Sequence, residues 1–101
     1  MNQSIHWTVP HDHPAFAGHF PGTPILPGVV LLDTTLQIIA EASGIALAQC
    51  EISSVKFLSP AGPGDVLEFQ HSLSASGSIR FEIIAGARKI ASGNILRKPA
   101  A

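Results

Sequence analysis

The chain has 101 residues, a formal net charge of −1, 46% hydrophobic residues and only 13% charged ones. That length suits one compact domain, residues 1–101, and the near-neutral balance argues against nucleic acid or an anionic membrane as the main partner. So little charge on so small a domain predicts that part of its surface is buried against another chain.

Cys50 is the only cysteine, so the chain contains no internal disulfide, and a cytoplasmic compartment is the expectation. Its setting, Leu47-Ala48-Gln49-Cys50-Glu51-Ile52, alternates like a strand and predicts a packed thiol. No apolar run approaches the roughly 20 residues of a membrane span. The start, Met1-Asn2-Gln3-Ser4-Ile5-His6, has neither the basic head nor the apolar middle of a signal peptide. The basic residues come late, at Lys56, Arg80, Arg88, Lys89, Arg97 and Lys98. They fit ordinary surface charge or a patch for an acidic partner.

In chain order, Ile5-His6-Trp7-Thr8-Val9 alternates apolar and polar and predicts a short strand stopped at Pro10. From Pro10 to Pro27 runs a segment with five prolines, at 10, 14, 21, 24 and 27, plus Gly18 and Gly22. Phe16, Phe20, Ile25 and Leu26 give that loop side chains to pack, which predicts an ordered functional loop. Pro27 to Ser43 predicts the one long helix, with Pro27 at its first position and Gly44 just past its end. Val29, Val30, Leu31, Leu32, Leu36, Ile38, Ile39 and Ala40 cover most of its circumference, which predicts a helix buried nearly all round.

The remainder predicts strands: Ile45 to Leu58 with a bend at Ser53-Ser54, Val66 to Leu73, Ile79 to Gly86, and Lys89 to Leu96. Turns fall at Pro60–Asp65, at Ser74–Ser78 and near Gly86-Ala87-Arg88. Trp7 and Phe57 read as core residues, and His6 and His71 as ordinary strand residues. One strand, a buried helix and a meander of antiparallel strands make an α+β domain whose sheet can curl around the helix.

The segment from His19 to Asp33 carries the chemistry. It presents an imidazole, a turn rich in Pro and Gly, a helix start at Pro27-Gly28, and a carboxylate inside an apolar helix. An acid and a base flanking a bare helix N-terminus can perform proton transfer on a carbonyl compound. Leu26, as the residue before Pro27, offers no side-chain acceptor, so the N–H groups of Gly28 and Val29 stay free for a ligand oxygen. Gly28 also lets a substrate approach the backbone. Gln37 stands four residues after Asp33, placed to orient its carboxylate. The alternative is a solvated polar stripe of Asp33, Gln37 and Glu41.

The stretch Phe16-Ala17-Gly18-His19-Phe20-Pro21-Gly22-Thr23-Pro24-Ile25-Leu26-Pro27-Gly28-Val29 resembles the signature of the β-hydroxyacyl-(acyl-carrier-protein) dehydratases of the hotdog fold. Val55-Lys56-Phe57-Leu58-Ser59-Pro60, followed by Pro63-Gly64-Asp65, resembles the strand and turn that follow the helix in those enzymes. The typical fatty-acid enzymes are longer, with an N-terminal helix and an extra strand. One branch has Glu at the position of Asp33, and the dehydratase–isomerase branch has Asp. A loop like the first with an acid like the second is similar to the small dehydratases of aryl-polyene and related secondary lipid pathways.

The resemblance implies a hotdog fold and dehydration of a 3-hydroxyacyl thioester, carried on acyl-carrier protein, to the trans-2-enoyl thioester. It implies His19 as the base and Asp33 as the acid or as a holder of water, with the Gly28 amide on the thioester carbonyl. An ordinary Asp has a pKa of about 3.9, so direct proton donation at neutral pH needs an apolar setting. Val29, Val30, Leu32 and Leu36 can supply one, and the sequence leaves a protonated Asp33 and an ionised one holding a water both open. The resemblance further implies a homodimer whose sheets join edge to edge, with His19 and Asp33 of one site drawn from different subunits.

No cofactor and no metal are implied. His11 and His13 with His19 lack a completing cysteine or acidic cluster. His13 fits either the mouth of the site or plain surface. Phe16 and Phe20 are candidates to pack the loop and to line an acyl tunnel. Competing readings are a hotdog acyl thioesterase, which also uses a helix carboxylate beside a helix N-terminus, and a non-catalytic module that binds acyl-carrier protein. Double-bond isomerisation is open too, since Asp33 matches the branch that performs it.

Overall fold

A computed structural model describes residues 2–16 and 24–98. The elements are β1 (Asn2–Thr8), α1 (Gly28–Ser43), β2 (Cys50–Phe57), β3 (Val66–Leu73), β4 (Ile79–Ala85) and β5 (Arg88–Arg97), with single 3-10 turns at Pro14–Phe16 and Leu47–Gln49. The strands make one antiparallel sheet in the order β1-β3-β4-β5-β2. β3, β4 and β5 form the central meander, and β1 and β2 are the two edges. This is the α+β arrangement expected of a hotdog, a sheet curled against one long helix. No helix among the described residues is long and apolar enough to cross a membrane.

Alternation builds the core. Leu67 and Phe69 of β3, Ile79, Phe81 and Ile83 of β4, and Ile90, Ala91 and Ile95 of β5 are buried, together with Leu31 and Ile39 of α1. Each large apolar side chain so buried contributes about 1.5–3 kcal/mol. Ile90 and Ala91 are buried in succession because the β4–β5 register shifts between Ile83 and Ile84. A second shift, between Ile52 and Ser54 on β2, is the bend expected at Ser53-Ser54. Beside it Gly93 must be glycine: a Cβ there would run into the Ser54 carbonyl and lie 2.9 Å from the Phe81 ring.

The helix ends as expected. Gly44 takes φ +70° and donates its N–H to Glu41 O, and the Ile45 N–H goes to Ala40 O at 3.0 Å. That left-handed closure satisfies two of the terminal carbonyls. The strand expected from Ile45 begins instead at Cys50, because Leu47–Gln49 winds into a 3-10 turn first. At the other end Pro27 is the N-cap (φ −59°, ψ 144°) rather than the first helical residue, and α1 starts at Gly28.

Burial of the helix departs from the expectation. Leu31, Thr35, Ile39 and Ala40 are buried, with the Thr35 hydroxyl donating to Leu31 O at 2.7 Å. Val29, Asp33, Gln37 and Glu41 are exposed, Val29 at 79%. One chain's sheet covers one side of a helix, and the apolar residues on the other side are not fully buried by any of the described residues.

Candidate active site

The site starts where the chain enters α1. The Leu26 N–H donates to Ala61 O at 2.7 Å, which pins the entry against the loop after β2. The Leu31 N–H takes Pro27 O at 3.0 Å as the first turn closes. Pro27 has no side-chain acceptor, and among the described residues no side chain caps the helix. The first three helical N–H groups, of Gly28, Val29 and Val30, therefore point out of the helix with no capping partner among the described residues, at the positive end of its dipole.

Beside this terminus lies a cavity of about 550 Å³, lined by Ile25, Leu26, Gly28, Leu31, Phe57, Leu58, Ser59, Pro60 and Ala61. Its wall is mainly apolar, with the Gly28 backbone as a polar edge. Phe57, expected in the core, is 51% exposed and lies over the helix start. A Cβ on Gly28 would sit 2.9 Å from Cζ of the Phe57 ring. The absence of a side chain at Gly28 thus lets the Phe57 ring lie over the helix start and leaves the amide open to approach. The misplacement of Phe57 has a simple origin: at the last position of an edge strand, alternation no longer says which face is covered. Trp7 is half-buried against the core, close to its expected place.

Asp33 and Gln37 stand together. Gln37 Nε2 donates to Asp33 Oδ2 at 3.0 Å, the orienting contact that their spacing suggested. Both are exposed, as is Glu41, so the polar stripe also exists. The described residues do not close the expected apolar surround of Asp33. At about 100° per residue, Asp33 and Gln37 lie on roughly the opposite side of the helix from Gly28 and Leu31. A single chain therefore does not bring Asp33 to the cavity that its own Gly28 edges.

His19 and Phe20 lie outside the described residues. Phe16 sits in the Pro14–Phe16 turn, packed against the core, and its ring meets His13 edge-on at 6.0 Å. His13 is held between Phe16 and Trp7, the latter at 6.4 Å, and its Nδ1 accepts the Ala15 N–H at 3.0 Å. That makes it a loop-ordering residue. His11 lies against Gly64, where a Cβ would come within 2.9 Å of its ring. His71, read as an ordinary strand residue, is buried at 6% exposure with Nδ1 unpartnered, and burial lowers its pKa. Burial likewise raises the Cys50 thiol, with nearby Arg97 opposing, as suits a packed cysteine.

Sequence reasoning missed one cluster. Arg88 Nη1 donates to Ser59 Oγ (3.1 Å) and Pro60 O (3.0 Å), and its Nη2 to Asp65 Oδ2 (3.2 Å). The sequence places Asp65 in a turn, and Arg88 near another turn as surface charge or part of a patch for an acidic partner. Nothing local in the sequence joins two residues so far apart.

The sequence profile of the ApeI-like family, described as ApeI dehydratase, matches residues 1–94. The chain is 35% identical to the 3-hydroxyacyl-(acyl-carrier-protein) dehydratase FabZ of Chlamydia trachomatis serovar L2, over 83% of this chain and 63% of that enzyme. Another relative, FabZ of Jannaschia sp., is 39% identical over 56% of this chain and 41% of its own length. The chain thus spans less than two thirds of the length of these curated relatives. Among solved structures it is similar to the dehydratase heterocomplex ApeI:P of Xenorhabdus doucetiae (TM-score 0.74, 24% identity, 97% of this chain and 88% of that one). A protein from Erwinia carotovora subsp. atroseptica is similar at TM-score 0.71 and 28% identity, over 97% of this chain and 83% of its own. These likenesses carry the hotdog fold.

Proposed function

The chain belongs to the ApeI-like dehydratase family, and from that premise we propose that it removes water from a 3-hydroxyacyl thioester. The observation that carries this reading is the helix start at Gly28, without a side-chain cap among the described residues, on the edge of an apolar cavity, with Asp33 and Gln37 on the far side of the same helix. The apolar wall suits an acyl chain. The Gly28 N–H suits a thioester oxygen that gains negative charge as the α-proton leaves. Loss of a comparable donor costs on the order of 3–4 kcal/mol of transition-state stabilisation.

In the proposed reaction His19 takes the α-proton, and the released electron pair forms the double bond between the α and β carbons. The bond to the β-oxygen breaks, and the hydroxyl departs as water with a proton delivered by Asp33 or by a water that Asp33 holds. The product is the trans-2-enoyl thioester. The substrate is carried on acyl-carrier protein, as the names of the FabZ relatives suggest. The reaction needs no cofactor.

Each site is completed by a second copy of the chain, and the working unit is at least a dimer. Two features support this: Asp33 is exposed on the helix side away from the cavity, and β2 is a sheet edge with its outer side unpaired among the described residues. Such an arrangement sets Asp33 of one subunit against His19 and Gly28 of the other. It also covers the apolar helix residues that one sheet leaves unburied.

Mass spectrometry of the purified protein with 3-hydroxyacyl-carrier-protein substrates of several chain types tests the reading. Loss of water, and its addition to the enoyl product in reverse, is the expected result. A folded protein that performs neither with any substrate overturns it. Release of free thiol without an enoyl product points to thioester hydrolysis instead.

A further inference from the structure

Arg88 opens β5 directly after the tight turn at Gly86, which takes φ +61°. Its guanidinium reaches across to the loop between β2 and β3 and meets three acceptors there: Ser59 Oγ, Pro60 O and Asp65 Oδ2. The same Asp65 oxygen accepts the Gly62 N–H at 2.8 Å, and the Asp65 N–H returns to Gly62 O at 3.2 Å. Residues 59–65 are therefore tied at both ends and across the middle by one cation and one carboxylate.

That loop is also the wall against which the helix start is set. Ala61, 2% exposed, accepts the Leu26 N–H two residues before Gly28. Gly62 lies so close to Pro24 that a Cβ would be 3.2 Å from its carbonyl oxygen. Ser59, Pro60 and Ala61 line the same cavity as Gly28. A shift of the loop moves both the cavity wall and the direction of the free helix amides. Arg88 grips the wall from behind, through Ser59 Oγ and Pro60 O, and is not itself among the residues that line the cavity.

We propose that Arg88 and Asp65 are a positioning pair that fixes the cavity wall and the Gly28 amide relative to each other during turnover. The proposal rests on the dehydratase reading for its kinetic consequence, though the brace itself is independent of it. The pair is partly exposed, at 48% and 31% for the two side chains, so its removal is compatible with a folded protein. A planar fork with several donors serves three acceptors at fixed angles, which an ammonium does not reproduce. Misplacement on the order of 1 Å costs as much as about 100-fold in rate.

The test compares wild type with Arg88→Ala and Arg88→Lys. The expected result is a kcat at least about tenfold lower for both variants, with KM changed far less. Millimolar guanidinium should restore part of the rate to Arg88→Ala and none to wild type. Amide exchange supplies the second measurement: Leu26 should exchange faster in Arg88→Ala while Phe69 and Phe81, in the central strands, do not. A kcat within twofold of wild type overturns the proposal, as does a lowered kcat with Phe69 and Phe81 exchanging faster to the same degree. If wild type is inactive on every 3-hydroxyacyl substrate, the functional reading fails separately. The brace then stands or falls on the Leu26 exchange rate alone.

Discussion

Gln37 Nε2 lies 3.0 Å from Asp33 Oδ2, one turn along the helix, and donates a hydrogen bond to it on an exposed face. The contact fixes one carboxylate oxygen, and the other has no hydrogen-bond partner among the described residues. In the proposed reaction that second oxygen is the one that meets the departing hydroxyl or its water.

Replacing Asp33 with Asn should lower kcat by about 10²–10⁴-fold, the usual weight of a general acid or base. Gln37→Ala removes the hydrogen bond to the Asp33 carboxyl group, worth about 0.5–1.5 kcal/mol, or up to roughly tenfold in rate. Neither side chain packs into the core of its own chain, and Asp33→Asn keeps the side-chain shape, so thermal melts should barely move. Steady-state kinetics beside differential scanning fluorimetry checks both outcomes. Unchanged rates in both variants would return the pair to the status of a solvated stripe.

Gly28→Ala should push the Phe57 ring aside, because the added Cβ meets its far end at 2.9 Å. The ring is half exposed and can swing, so the expected cost is in rate more than in stability. The two residues should couple in a double-mutant cycle with Phe57→Leu by about 0.5–3 kcal/mol, as touching residues do. Purely additive rate effects would show that the ring does not sit on Gly28 in solution.

Mixing His19→Ala chains with Asp33→Asn chains should restore activity after subunit exchange, since each mixed dimer holds one intact site. The expected maximum follows from random pairing: about half the dimers are mixed, each with one of its two sites intact, giving roughly a quarter of wild-type activity. Native mass spectrometry confirms the exchange. No recovery despite proven exchange would refute a site shared between chains.

His71 predicts a pH dependence of stability. Burial lowers its folded pKa below its usual 6.5, so the neutral form is favoured in the fold. Above that value both states are neutral and nothing is lost. As pH falls below it, the unfolded chain takes up a proton that the folded chain resists, and stability drops. The cross-strand neighbours, Gln3 and Phe81, bring no charge to offset this. The denaturant midpoint should therefore fall between about pH 7.5 and about pH 5.5, and His71→Phe should flatten that fall. Glu68 acts in a lower window. Hydrogen bonds from Gln70 and Ser4 hold its pKa below 4.5, so its contribution is present above that value and is lost as the pH falls past it.

Most local elements were legible in the residue pattern. Val66–Leu73 came out residue for residue, because alternation and the flanking turns at Asp65 and Ser74 agree. Gly44 marked the helix end through its left-handed backbone, and Ser53-Ser54 marked the bulge. The spacing of Asp33 and Gln37 implied their contact, since a helix brings residues four apart together. Only the tertiary structure decided the rest. Alternation says that a strand has two faces but not which one is covered, so Phe57, expected in the core, is half exposed, and His71, an ordinary strand residue by pattern, is buried. The apolar circumference of α1 implied burial all round, yet a single sheet covers one side, and Asp33 faces away from the cavity at Gly28. The link from Arg88 to Ser59, Pro60 and Asp65 needs the sheet order β4-β5-β2, a long-range pairing that no local pattern encodes.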